Sequence, residues 1–574
     1  MSVLRGNGKV TERVSIRAKS VKPAAGGLRE NALRAHALVA DGLAGRLRGN
    51  PDALDSLRER FAPSLTPRGF PRSRVFRDVV REASVAVVCG LAFACSAGDR
   101  GLIDSQLAGL PLLARALDDG DGPTGAEQAL WRELRTMLTS FHDGIARCRD
   151  DAPARDGAPG RRGTNTRSFS PLLCDLPPEL ELPDGALKNA LRHLRGAHAR
   201  GSEPQALDRA PMAIRSLGDI YEALIGGLNY GNTRKATGTY YTPDVIVRHI
   251  VSGALSHLLG DSGVSRAGEP PSAREILDLK ILDPASGAGH FLIPAAEYLA
   301  RACVAVLIRE GKIGEEETEL TDAIDEYRKI VARRCIYGVD IDPVAVELAG
   351  LSLWLYSSDP GVSLSETASH LRCGNSLHRF DWAGEFPAAE QGFDAVIGNP
   401  PYLSFSGRQK PGGNKWIKQL DPDSKPGGWQ TMHGLFMLKS MELAKRTGLV
   451  SMVVPDQVGH LKGYKPLRSR MLEAGRLLEV RYWGEDVFKN VISPALTFIV
   501  RRSQETSGGD TKSPRVGQSP EVRDTSADET VLIDSDGNKT IFSPLPGQEW
   551  FNSPSRAALS SARVMPIFMR WPTP

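Results

Sequence analysis

Apolar residues recur along this chain with two different periods, and the change of period divides it. Up to about residue 150, Leu-rich and Ala-rich stretches repeat at helical spacing with few β-branched runs, which predicts a mainly helical region. Within Ala213–Leu228, the residues Ile214, Leu217, Tyr221, Leu224 and Leu228 fall on one stripe of an amphipathic helix that faces a core. Beyond it, short apolar runs alternate with helical patterns: Lys280–Leu282, Ile336–Val339, Phe393–Ile397, Leu449–Val454 and Leu496–Val500. Such alternation predicts an α/β fold with a mostly parallel sheet and helices on both faces. The predicted division is a helical region over 1–205, an α/β domain over 206–502 with a lead-in helix at 206–235, and a tail over 503–574. Residues 149–168 are rich in Pro, Gly and charge and read as a linker; 503–530 are polar and poor in apolar residues. The sheet is expected to finish near Arg502.

Composition narrows the class. Of 574 residues, 41% are hydrophobic, enough for a sizeable core in each region. A net charge of +4 permits nucleic-acid binding without indicating it, because phosphate contact needs local clustering. One cluster is the first 50 residues, where Arg5, Lys9, Arg13, Arg17, Lys19, Lys22, Arg29, Arg34, Arg46 and Arg48 face only Glu12, Glu30 and Asp41. It reads either as a solvated start or as a DNA-backbone contact. The seven cysteines are scattered and form no CxxC pair, which excludes a zinc knuckle and fits a reducing, cytoplasmic setting. The basic start has no following apolar segment of signal-peptide length, and the longest apolar run, Ala83–Cys95, is too short to span a bilayer. A soluble protein with no membrane contact is expected.

Three strand ends carry candidate chemistry. After the first strand comes Asp283-Pro284-Ala285-Ser286-Gly287-Ala288-Gly289-His290, a Gly-rich turn leading into an Ala-rich helix. Glycines there let backbone N–H groups approach a ligand beside a helix N-terminus, and Asp283 at the strand end can accept a hydrogen bond from a ligand ammonium group. A dinucleotide site is disfavoured: Leu292 replaces the third glycine of GxGxxG, and the next strand-end acid, Asp340, stands far beyond the usual twenty or so residues. In Val339-Asp340-Ile341-Asp342-Pro343, Asp342 has the chemistry of a helix N-cap, whereas Asp340 is placed to take ribose hydroxyls. The third element, Asn399-Pro400-Pro401-Tyr402, follows an apolar strand directly. The adenine N6 amine is a poor nucleophile because its lone pair is delocalised. An Asn side-chain oxygen and a rigidly held Pro400 carbonyl, each accepting one amine hydrogen, would free that lone pair with little reorganisation. Tyr402 offers a face on which an extruded base can stack.

In this order, TGTYYTP (237–243), LDPASGAGHF (282–291), YGVDIDP (337–343), CGNSL (373–377) and IGNPPYL (397–403) resemble the motifs of gamma-class adenine-N6 DNA methyltransferases. The preceding SLGDIYEALI helix resembles the lead-in of type IIG restriction–modification enzymes and related phage-defence methylases. The resemblance covers about 213–502. It implies a Rossmann-like class I methyltransferase sheet, S-adenosylmethionine as cofactor, duplex DNA as substrate and no metal. It further implies that Tyr241, Thr242 and Pro243 close over the methionine end of the cofactor. Asp283, Ala285, Gly287 and Gly289 would lie beneath it, Asp340 would hold the ribose, Ile341 would contact the cofactor adenine and Asn375 would bond its amine. Asn399, Pro400, Pro401 and Tyr402 would form the catalytic pocket.

Members of this class usually carry a target-recognition domain after the methylase fold, and little chain follows Arg502 here. A separate specificity or restriction subunit, or a shortened product, is the corresponding expectation. No clustered carboxylates and lysine of nuclease type are evident in the helical region. Competing readings are methylation of a protein glutamine or an RNA guanine N2, and a non-catalytic DNA-binding subunit. Residues 404–430, with Arg408, Lys410, Lys415, Lys418 and Lys425, read either as a surface loop or as a DNA-contacting loop beside the pocket.

Overall fold

Among the described residues, the short apolar runs pair into one nine-stranded sheet in the computed structural model of the protein. The structure describes residues 28–48, 50–61, 72–98, 102, 113, 129–138, 182–198, 217–225, 242–259, 271–314, 316–357, 364–403, 431–484, 494–503, 530–534 and 537–542. The first 27 residues, the linker at 149–168, Tyr241, the basic segment 404–430 and residues 504–529 lie outside them.

The helices used below are α1 (Leu28–Leu47), α2 (Pro51–Phe61), α3 (Arg72–Gly98), α4 (Asp184–His198), α5 (Asp244–Leu259), α6 (Leu292–Arg309), α7 (Glu317–Arg334), α8 (Pro343–Ser357), α9 (Met432–Leu443) and α10 (Lys465–Ala474). The lead-in helix is seen over 217–225. The strands are β1 (Ile281–Asp283), β2 (Ile336–Asp340), β3 (Leu371–Cys373), β4 (Phe393–Gly398), β5 (Ala444–Pro455), β6 (Gly475–Tyr482), β7 (Ala495–Arg502), β8 (Thr530–Ile533) and β9 (Lys539–Phe542).

Their order is β3-β2-β1-β4-β5-β7-β6-β8-β9. Strands β1 to β5 run parallel, while β7 lies antiparallel between β5 and β6. Contrary to the expectation from the sequence, the sheet does not finish at Arg502. Strand β8 adds parallel to β6, and β9 adds antiparallel to β8. The polar stretch between β7 and β8 hid this continuation, because a four-residue strand beyond such a stretch carries almost no periodic signal.

Alternation along the strands sorts side chains into two cores. Ile281, Ile336, Ala395, Ile397, Leu449 and Ile499 face one side, with α5, α6, α8 and the N-terminal helices. Leu282, Tyr337, Val339, Val396, Val450 and Phe498 face the other, with residues of α9 and α10. The apolar run at Ala83–Cys95 is the middle of the 27-residue helix α3. By length and composition Val75–Gly98 would suffice to cross a membrane, but it is buried within the fold. It packs against α1, α4 and α8, and Phe93 meets Trp354 of α8 at 6.0 Å between ring centroids. Every residue of α8 from Val344 to Ser357 is consequently buried.

The chain leaves β1 for β2 and β3 on one side and returns to β4 on the other. In an open parallel sheet this reversal opens a crevice at the carboxyl ends of the strands, where ligands bind. Register puts the strand tips level there: Asp283 is opposite Gly338, Asp340 opposite Cys373, and Leu282 opposite Val396.

Candidate active site

The Gly-rich turn leaves β1 at Asp283 and is closed by hydrogen bonds to β2. Ser286 N–H donates to the Val339 carbonyl at 3.0 Å, and Gly287 N–H donates to the Asp340 carboxylate at 2.8 Å. Gly287 and Gly289 adopt φ of +51° and +93°, which L side chains rarely do. A Cβ on Gly287 would stand in open space, so the turn presents bare backbone to the crevice.

Asp340 is half-buried and accepts from both Gly287 N and Asp342 N at 2.8 Å, tying the first turn to the second. Burial, reinforced by the Asp342 charge, raises its pKa to about 6. Asp342 accepts from Val344 N at 2.9 Å and caps α8. Ile341, between the two acids, is 70% exposed, an unusual state for a large aliphatic side chain at a strand tip. Asn375 also sits at this rim, where its Oδ1 accepts from Leu377 N at 3.0 Å and fixes the turn after β3. Ser376 donates to the Pro284 carbonyl at 2.5 Å, joining that turn to the first.

Asp283 itself is fully buried. One carboxylate oxygen accepts from Ala285 N at 3.0 Å, and the other has no partner among the described residues. Burial pushes its pKa up to about 8; the Ala285 bond and His290 lower it, and Asp340 raises it. Next to this carboxylate runs the end of β4. A Cβ on Gly398 would stand 2.5 Å from Asp283 Oδ1, so only glycine lets the two strand tips approach this closely.

Asn399 follows. Its Nδ2 donates to Thr242 Oγ1 at 2.8 Å, whereas its Oδ1 is buried without a partner among the described residues. Thr242 and Pro243 precede α5, and the hydroxyl of Thr242 is directed to Asn399 rather than left for a ligand alone. Tyr402 donates from its hydroxyl to the Val453 carbonyl at 3.1 Å and meets His433 edge to face at 5.8 Å. His433 Nε2 lies 3.0 Å from both Thr431 Oγ1 and Tyr464 Oη. Burial lowers the His433 pKa to about 3, so the ring is neutral and holds Tyr402 by packing.

Sequence reasoning missed the part played by the lead-in helix. Tyr221 donates from its hydroxyl to Asp342. His290, at the close of the Gly-rich turn, is gripped by Glu222 at 3.0 Å and Asp219 at 3.4 Å. Burial acts to lower the His290 pKa, but the two carboxylates outweigh it and hold the ring well above its ordinary value. One short helix thus secures both turns. The available signal was a Tyr on the apolar stripe flanked by two acids; their partners lie 68 or more residues away and leave no periodic trace.

The strand order, the antiparallel β7 and the Gly-rich turn at the reversal are those of a class I methyltransferase fold. Over residues 334–488, from β2 to the end of β6, the chain matches the family described as Eco57I restriction-modification methylase. It is 25% identical over 211 residues to DNA methyltransferase A of Bacillus subtilis, covering 33% of this chain and 23% of that protein. To the type II restriction enzyme and methyltransferase RM.Eco57I of Escherichia coli it is 24% identical over 280 residues, 43% of this chain and 26% of that one. The chain thus matches about a quarter of the length of these curated relatives. Among solved structures, the type IIL restriction-modification enzyme MmeI, in complex with DNA, superposes with a TM-score of 0.50 at 14% identity, covering 90% of this chain and 60% of that chain. That likeness bears on the fold.

Proposed function

We propose that this protein transfers a methyl group from S-adenosylmethionine to the N6 amine of an adenine extruded from duplex DNA, as the modification activity of a restriction–modification or phage-defence system. The observation that carries the reading is a pair of buried oxygens on neighbouring strand tips, Asp283 Oδ2 and Asn399 Oδ1, that have no partner among the described residues. A buried acceptor left without a donor costs about 1–3 kcal/mol, so the two favour ligands that supply a donor to each.

The residues fit the cofactor. Asp283 would accept from its ammonium group, the bare Gly287–Gly289 turn would lie beneath its methionine portion, and exposed Ile341 would cover its adenine ring. Asp340 and Asn375 each have an oxygen in a backbone hydrogen bond, and a carbonyl or carboxylate oxygen keeps a second lone pair for a ribose hydroxyl or an amine. Ala285 and Pro243 would border the same space, and Tyr241 would complete the closing segment. When bound, the cofactor supplies a methyl carbon on a sulfonium, whose C–S electron pair leaves with sulfur.

The chain's own part is to prepare the nitrogen. Asn399 Oδ1 and the Pro400 carbonyl each accept one amine hydrogen, which favours a pyramidal nitrogen with its lone pair free to form the N–C bond. The nitrogen then releases one proton to water. Pro400 and Pro401 fix the backbone that carries these acceptors. Tyr402, held by Val453 and His433, offers the face for the extruded base. Duplex DNA is the substrate on this reading, and a specificity or restriction subunit is a fitting partner.

Purified protein with methyl-labelled cofactor is expected to label adenine N6 in duplex DNA, and Asn399→Ala to lower this by at least about a hundredfold, as loss of a preorganised group at the reacting centre does. Label on guanine or on protein, or an Asn399→Ala variant as active as the parent, would overturn the assignment.

A further inference from the structure

We infer that Thr242 is a positioning residue for methyl transfer: its hydroxyl holds the Asn399 side chain in the orientation that directs the amide oxygen to the target amine. The inference rests on the proposed function and adds a role that the motif containing Thr242, read as a cofactor contact, does not assign.

An asparagine amide has two faces of opposite chemistry, an acceptor oxygen and a donor NH2, and a half-turn exchanges them. Only the oxygen can accept from an amine; the NH2 turned toward the substrate would oppose two donors and leave the nitrogen lone pair delocalised. Something must therefore select one orientation. Thr242 Oγ1 lies 2.8 Å from Asn399 Nδ2, and Thr242 is itself buried. The opposite corner of the amide, Oδ1, is buried and has no partner among the described residues. Anchored donor and vacant acceptor are the arrangement the chemistry requires. The anchor comes from 157 residues earlier in the chain, at the start of α5, which packs against both β4 and β5. The backbone carrying the hydroxyl is thus fixed by the same core that fixes the strand carrying Asn399.

Three variants separate this role from its alternatives. Thr242→Val keeps the shape and removes the hydroxyl, Thr242→Ser keeps the hydroxyl, and Asn399→Ala serves as the inactive reference. For each, the dissociation constant of the cofactor is measured by calorimetry, single-turnover methylation of duplex DNA at saturating cofactor gives the chemical rate, and thermal melting reports folding. Thr242→Val is expected to slow the chemical rate by about ten- to a hundredfold, the scale of a displaced catalytic group, with cofactor affinity within about twofold of the parent. Thr242→Ser is expected to recover most of the rate.

A Thr242→Val protein that melts normally and reacts at the parental rate would overturn the inference. So would one that loses cofactor affinity while its rate at saturation is unchanged, since that would make Thr242 a cofactor contact only. If Thr242→Val fails to fold, the Ser variant decides: parental affinity and rate support the inference, while a rate as low as that of Asn399→Ala refutes it. A parent protein that labels no DNA adenine would instead refute the proposed function, a result separate from any difference among the variants.

Discussion

At the scale of single residues, Asp283 sets out the compromise on which the site is built. An acid whose pKa rises on folding binds a proton more tightly folded than unfolded, so stability declines as pH climbs from its unfolded value near 4 toward about 8 and changes little beyond. The group costs stability at neutral pH and is retained where a positive ligand would favour its charged form. Two consequences follow. Cofactor binding at pH 7 should release protons, seen as a calorimetric heat that varies with the ionisation enthalpy of the buffer, and affinity should strengthen as pH rises from 6 to 8. Asp283→Asn should weaken the cofactor by at least about tenfold without lowering the melting temperature at pH 8, because it removes a buried charge with an unpartnered oxygen. Proton uptake on binding, or a clearly less stable Asn variant, would contradict this account.

The lead-in helix over 217–225 is the element that distinguishes this site from a bare sheet edge. Its Asp219 and Glu222 keep His290 charged, and its Tyr221 reaches Asp342 at the cap of α8. A histidine with a raised pKa contributes stability that is complete below its unfolded pKa near 6.5 and is lost as pH rises through the folded value. Glu222→Gln should therefore destabilise the protein most between pH 5 and 6.5, by on the order of 2 kcal/mol; the usual figure for a broken buried pair is larger, but Asp219 remains. The difference from the parent should shrink in alkaline buffer. Denaturant melts from pH 5 into alkaline buffer check this, and a gap that instead widens with pH would refute the ion-pair explanation. Because His290 ends the Gly-rich turn, the same variant should also weaken cofactor binding.

For the whole molecule, the helical region and the sheet share one core. Helix α8 is buried on every side because α3 covers the face turned away from the sheet, with Phe93 against Trp354. A protein beginning at residue 206 would expose that face, and burying a Trp side chain alone is worth about 3–5 kcal/mol when judged by its removal. Such a fragment should be recovered largely insoluble or melt without cooperativity by circular dichroism. Recovery of a soluble fragment with a sharp transition near that of the full chain would show that the two regions are independent. Of the basic segments that read as DNA contacts, 404–430 and the first 27 of the 50 N-terminal residues lie outside the described residues.

Much of this was legible in the residues alone. The apolar runs gave five of the parallel and antiparallel strands, because side-chain alternation and helical period are local properties of a half-buried surface. The order of the Gly-rich turn, the Val339–Pro343 strand end and Asn399–Tyr402 carried the resemblance to gamma-class methylases, since short motifs at strand ends are contiguous in the chain. Strands β8 and β9 escaped notice because strands of four residues are too short for a periodicity to be read. Tertiary structure alone decided that Asp340 knits two turns together, that Gly398 lets Asp283 meet the end of β4, that His290 answers to Glu222, and that Thr242 grips Asn399. Those contacts join positions 53 to 157 residues apart. Their existence depends on which strand tips the sheet brings level, a property of the packed whole that no local pattern encodes.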